Sequence, residues 1–100
     1  MVSNQCPVTE SILFIDDTIA SGGLTHPRSR RIAEEIHSLL NDVAWGRAGD
    51  DHLPAVQDLI QELLEKKEPQ GRRLGQHINQ TLADNMEVFE SHVKTHNCPT

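Results

Sequence analysis

The chain has 100 residues, of which 36% are hydrophobic, enough for one compact domain spanning residues 1–100 but too little for a deep enclosed active site. Aromatics make up only 3%, as Phe14, Trp45 and Phe89, so the core has to be built from Leu, Ile and Val, which favours packed helices over a β-sandwich. A formal charge of -6 and a pI near 5.4 work against nucleic acid as a partner, because a phosphate backbone would meet net repulsion instead of a counterion-releasing basic face.

Thr9 is suited to cap a first helix in which Val8, Ile12, Ile15 and Ile19 recur at one-face spacing, although residues 11–15 alone also fit a short strand. The Ser21-Gly22-Gly23 step should end it. After Pro27, the series Ile32, Ile36, Leu39, Leu40 and Val43 repeats at helical spacing, with Arg30, Arg31, Glu34, Glu35 and His37 between these positions. This second helix is the clearest amphipathic one. It runs into Trp45-Gly46, and the polar stretch to Asp51 supplies a turn and a cap before Pro54, a residue tolerated in a first helical turn. Leu53, Val56, Leu59, Ile60, Leu63 and Leu64 then form the apolar face of a third helix. Its Glu62, Glu65, Lys66 and Lys67 mark an exposed, cation-rich end suited to the helix dipole. Pro69 and Gly71 are expected to break the chain. The last helix carries Ile78, Leu82, Met86, Phe89 and Val93 on one side, with Asp84, Glu87, Glu90 and Lys94 away from it, and stops at Asn97 and Pro99. Four such stripes can be buried only against one another, so the expected architecture is all-α, an antiparallel four-helix bundle.

The two cysteines, Cys6 and Cys98, stand far apart in sequence and form neither a disulfide framework nor a CxxC pair, which fits a reducing cytoplasm. No apolar run approaches the roughly 20 residues that span a bilayer, and residues 1–7 lack a basic-then-apolar signal pattern. The expectation is a soluble, unexported protein with no membrane partner. No GxxxxGK[ST] loop, GxGxxG fingerprint, GxSxG elbow or HExxH pair occurs, so phosphotransfer, dinucleotide binding, serine hydrolysis and zinc proteolysis lose their usual support. Adjacent acids such as Asp16-Asp17 diverge on a helix and more often form a solvated or capping pair. No catalytic residue is assigned.

The stretch Gly22-Gly23-Leu24-Thr25-His26-Pro27-Arg28, followed by an amphipathic helix, a Gly-containing turn, a leucine-rich helix, Arg72-Arg73-Leu74-Gly75-Gln76 and a closing helix through Phe89 to Asn97-Cys98-Pro99, carries a family resemblance. It resembles the cluster-binding domain at the C-terminal end of the NADH-oxidising flavoprotein subunit of respiratory complex I. Similar domains precede some NAD(P)-linked flavin oxidoreductases. That family has a CxxCxPC loop before its amphipathic helix and a fourth cysteine before Leu-Gly. Here Pro27 matches the family proline, but the four ligand positions fall on Gly22, Thr25, Arg28 and Arg72, none of which supplies a thiolate. The resemblance therefore implies a helical scaffold without the iron-sulfur cluster and without any other cofactor. It also implies docking to a protein partner, such as an NAD(P)H-linked flavoprotein or another oxidoreductase subunit.

Arg28, Arg30 and Arg31 open the second helix, and Arg72 and Arg73 precede the last one. The family fold would bring these segments together as an arginine-lined pocket for a phosphate or a partner carboxylate. The plain alternative is that they are solvated side chains pairing with Glu34, Glu35 and other carboxylates, contributing little when exposed. His92 and His96 lie four apart near Cys98, a spacing that could bring two imidazoles and a thiolate to one zinc ion. A fourth ligand is not evident, and surface histidines at a frayed helix end have the same pattern. No metal site is assigned. The leading expectation is a noncatalytic interaction or regulatory module of NAD(P)H-linked electron-transfer machinery. The alternatives are a free-standing helical adaptor or a small zinc-binding protein.

Overall fold

Proline at the first helical position costs nothing, because its missing N–H is one the helix leaves unsatisfied there, and this chain uses that property at three starts. In a computed structural model, which describes residues 7–22, 24–65 and 68–95, five helices occur in the order α1 (Pro7–Ala20), α2 (Pro27–Ala44), α3 (His52–Glu65), α4 (Pro69–Asp84) and α5 (Met86–Thr95). No strand occurs among the described residues, which disposes of the strand alternative for residues 11–15. Cys6, Lys66, Lys67, His96, Asn97, Cys98 and Pro99 lie outside the described residues.

The helix ends follow local chemistry. Gly22, at φ 75°, ends α1 as the glycine step predicts, with its N–H donating to the Ile19 carbonyl. Gly46, at φ 73°, does the same after α2, donating to the Val43 carbonyl. At the start of α2, the N-cap His26 accepts the Arg28 N–H on Nδ1 at 3.2 Å. α1 begins at Pro7, ahead of the expected Thr9 cap.

Two expectations about the second half are corrected. The break expected at Pro69 and Gly71 falls between Glu65 and Pro69: Pro69 opens α4, and Gly71, Arg72, Arg73 and Gly75 all lie within it. The expected single closing helix is divided at Asn85, whose backbone leaves helical geometry at φ -128° and ψ 28°. Asn85 holds the break by donating from its N–H and from Nδ2 to the Thr81 carbonyl, the latter at 2.9 Å, while its own carbonyl accepts from Val88 and Phe89. The described residues therefore form five helices, not four.

The apolar stripes meet in one core. Ile32, Ile36, Leu40 and Val43 from α2 are buried with Val56, Ile60 and Leu63 from α3, Leu74, Ile78 and Leu82 from α4, and Val8 and Ile15 from α1. Each such side chain contributes about 1.5–3 kcal/mol relative to remaining exposed. α2 and α3 run antiparallel, because Arg28 pairs with Glu62 at one end and Asp42 with His52 at the other. α1 packs on α2 and α4, and its Phe14 ring stacks on His77 with centroids 3.9 Å apart. α5 folds back against α1, α2 and α4 and seals the core with the fully buried Phe89. No helix among the described residues is long and apolar enough to cross a membrane.

Candidate functional site

The two segments singled out in the sequence do meet, and the residue that joins them is an acid. Glu68, the residue before α4, sends its carboxylate to the N-terminus of α2, where Oε2 accepts the Thr25 N–H at 2.7 Å, the Thr25 hydroxyl at 2.9 Å and the His26 N–H at 3.0 Å. The His26 N–H belongs to the N-cap of α2, a donor that a helix start leaves without an internal partner at the positive end of the helix dipole, and Thr25 precedes it. Partial burial pushes the Glu68 pKa up, but the bonds from His26, Thr25 and Ser29 outweigh it, and the carboxyl is held below its ordinary value. Gly71 lies against this junction: a Cβ there would stand 3.5 Å from both the Ser29 hydroxyl and the second Glu68 oxygen, in ordinary van der Waals contact.

The positions that the resemblance equates with cluster ligands spread around this junction. Thr25 is bound by Glu68, Gly22 ends α1, Arg28 reaches Glu62 at 3.7 Å, and Arg72 is exposed on α4. With no sulfur donor among the four, these residues do not fit an iron-sulfur cluster. The five arginines surround the junction without converging on one point. Arg28 and Arg31 flank a groove against Leu59 and Glu62 of α3, whereas Arg72 and Arg73 line a separate one with Pro69 and Gln76. Arg30 pairs along its own helix with Glu34 at 3.4 Å. The anion position at the start of α2 is filled by the chain's own carboxylate.

His92 lies inside the molecule, only 5% exposed, and not on the surface as expected of a frayed helix end. Burial lowers its pKa below the ordinary 6.5, opposed in part by a hydrogen bond with the Val43 backbone. Its companions His96 and Cys98 lie outside the described residues. Among the described residues no group of three His, Cys, Asp or Glu side chains could hold a metal ion.

A carboxylate–imidazole pair passed over in the sequence sits at the opposite end of α2. Asp42 faces His52 Nε2 at 3.4 Å and Arg47 at 3.3 Å, and His52 Nδ1 accepts the Gly49 N–H at 3.0 Å. With both ring nitrogens engaged, this imidazole has no nitrogen available to act as a base. The pair clasps the turn between α2 and α3. No family model matches the chain, and no curated protein and no solved structure shows significant similarity to it.

Proposed function

We propose that the chain is a noncatalytic protein-docking module of NAD(P)H-linked electron-transfer oxidoreductases, lacking the iron-sulfur cluster and working in the cytoplasm. In this reading α1 to α4 form an antiparallel four-helix bundle that α5 covers, and the docking face is the end where α2 and α4 begin. The observation that carries it is the distribution of charge. Five of the six arginines, Arg28, Arg30, Arg31, Arg72 and Arg73, stand exposed in the first turns of these two adjoining helices, on a chain whose net charge is -6. A basic end on an acidic body steers and orients an acidic partner surface. Arginine also anchors interfaces, since its fork pairs with carboxylates while its stem packs on apolar neighbours. The redox association rests on the order of features over residues 21–99, and the compartment on the separation of Cys6 and Cys98 in sequence.

A native pull-down from a cytoplasmic extract, with flavin absorbance read on the recovered proteins, tests both parts. The unsubstituted chain should recover a flavin-bearing protein. Arg28→Ala combined with Arg72→Ala should weaken capture at least about tenfold, or 1.4 kcal/mol. The helical circular dichroism and Tm should stay nearly unchanged, because the Arg28–Glu62 pair is exposed and long. Capture that survives the double substitution removes the arginine end from the reading. Recovered proteins without flavin absorbance remove the redox association.

A further inference from the structure

A second surface lies at the far end of α2 from the arginines. There the first turn of α3 and the length of α5 bound an open groove of about 370 Å³, near the lower end of ligand-sized pockets at roughly 300–1,000 Å³. Leu53, Pro54, Met86 and Val93 make its apolar floor, and Asp50 and Glu90 stand on its rim, with no Lys or Arg in the lining. Five acids elsewhere are engaged, Asp16 by His37, Glu34 by Arg30, Asp42 by Arg47, Glu62 by Arg28, and Glu68 at the start of α2, while others such as Asp17, Glu35 and Asp58 form no ion pair among the described residues. Asp50 and Glu90 form no ion pair among the described residues.

We propose that this groove seats an amphipathic helix of a protein partner, which inserts a bulky apolar side chain over Leu53 and Met86 and sets Lys or Arg beside Asp50 and Glu90. The charge follows from the rim, where two carboxylates, in a lining without Lys or Arg, favour a cationic neighbour. The helical form follows from the walls, since a furrow between two helices accepts a third helix and no sheet edge is present among the described residues to recruit a strand. A second copy of the chain fits poorly. Its exposed large apolar side chains are Leu13, which stands among Glu10, Asp16 and Asp17 on α1, and Trp45, which lies in the turn after α2, off any helix face, with the neighbouring Arg47 held by Asp42.

The probe is a short leucine–lysine peptide patterned to form an apolar helical face, compared with the same composition scrambled and with a leucine–glutamate counterpart. Added to the full chain, it should shift amide and methyl NMR signals of residues 50–57 and 86–93, and the two comparison peptides should not. Asp50→Lys combined with Glu90→Lys lies on the exposed rim and should weaken binding about tenfold. Met86→Lys should weaken it by obstructing the floor, with circular dichroism confirming the fold. The proposal is overturned by signals spread over Asp16, Asp17, Glu34 and Glu35, by equal binding of the scrambled peptide, or by unchanged affinity in the rim variant. It is equally overturned if the same residues shift on raising the chain's own concentration without peptide, which would assign the groove to a second copy.

Discussion

Glu68 and His92 both have pKa values held below their ordinary ones, and each makes the protein sensitive to acid in its own range. The Glu68 pKa is lowered, so the unfolded chain binds the proton more readily than the folded one. Its stabilising contribution is present above the ordinary value of 4.5 and is lost as pH falls through the folded value. The His92 pKa is also lowered, so its neutral form is the one the fold accepts. Stability is full above 6.5 and declines as pH falls from there toward the folded value. Urea unfolding at a series of pH values should therefore show a first loss starting below 6.5 that His92→Gln suppresses, and a second starting below 4.5 that Glu68→Gln suppresses. At neutral pH Glu68→Gln should cost about 1 kcal/mol, the usual size of a lost helix cap. A Glu68→Gln protein whose stability below pH 4.5 falls as steeply as that of the parent would remove the carboxylate from this role. Little of this was legible in the sequence. The partners of Glu68 lie 42 and 43 residues away, beyond any local motif. His92 was within reach, because it stands three residues after Phe89 and shares its inward stripe, but its place near the expected helix end favours a surface histidine, with zinc as the weaker alternative.

Helical periodicity located α1, α2 and α3 from the spacing of their aliphatic residues, while the second half of the chain depended on contacts that periodicity does not encode. Gly71 reads as a breaker because glycine in a helix costs about 1 kcal/mol relative to alanine, a cost that Gly75 shares. They are retained inside α4 at the places where α3 comes closest. A Cβ on Gly75 would stand 3.2 Å from Leu64 Cδ2 and 3.5 Å from Leu63 Cβ. The tip of half-buried Leu64 can yield by a few tenths of an ångström, so Gly75→Ala should leave stability within about 1 kcal/mol of the parent, the propensity gain offsetting the contact. Gly75→Leu has no such escape past Leu63 and should cost about 1–3 kcal/mol. Equal urea midpoints for the alanine and leucine variants would mean that α3 and α4 are not closely packed there. The break at Asn85 was hidden for a different reason. The stripe of Ile78, Leu82, Met86 and Phe89 continues across it without interruption. Only the length of the product argues for a break: an unbroken helix over residues 69–95 would run about 40 Å at 1.5 Å per residue, longer than the 36 Å the molecule spans.

At the scale of the whole molecule, five of the six arginines gather where α2 and α4 begin, while Arg47 with its partner Asp42 stands at the other end of α2 and Asp50 lines the groove. α2 is 18 residues long, so the two ends are about 27 Å apart. That separation decides whether the proposed binding surfaces influence one another. At physiological ionic strength the Debye length is about 8 Å, and a charge change at the groove is felt only weakly across three such lengths. Mechanical coupling has to pass through a core of fully buried Ile36, Leu40, Ile60 and Ile78, whose close packing does not deform continuously. Effects at sites more than about 10 Å apart with no shared partner usually add to within roughly 0.5 kcal/mol. A short oligoglutamate peptide binding at the arginine end should therefore keep its affinity, within about twofold, when Asp50→Lys and Glu90→Lys are introduced. The same peptide should lose affinity in the Arg28→Ala and Arg72→Ala protein. Isothermal titration at physiological salt measures both. A rim variant that changes oligoglutamate affinity tenfold would show that the ends communicate or that the peptide does not bind at the arginines. Repeating the titration at low salt separates these causes, because a long-range field strengthens as the Debye length grows, whereas a contact with the substituted rim itself persists at both salts.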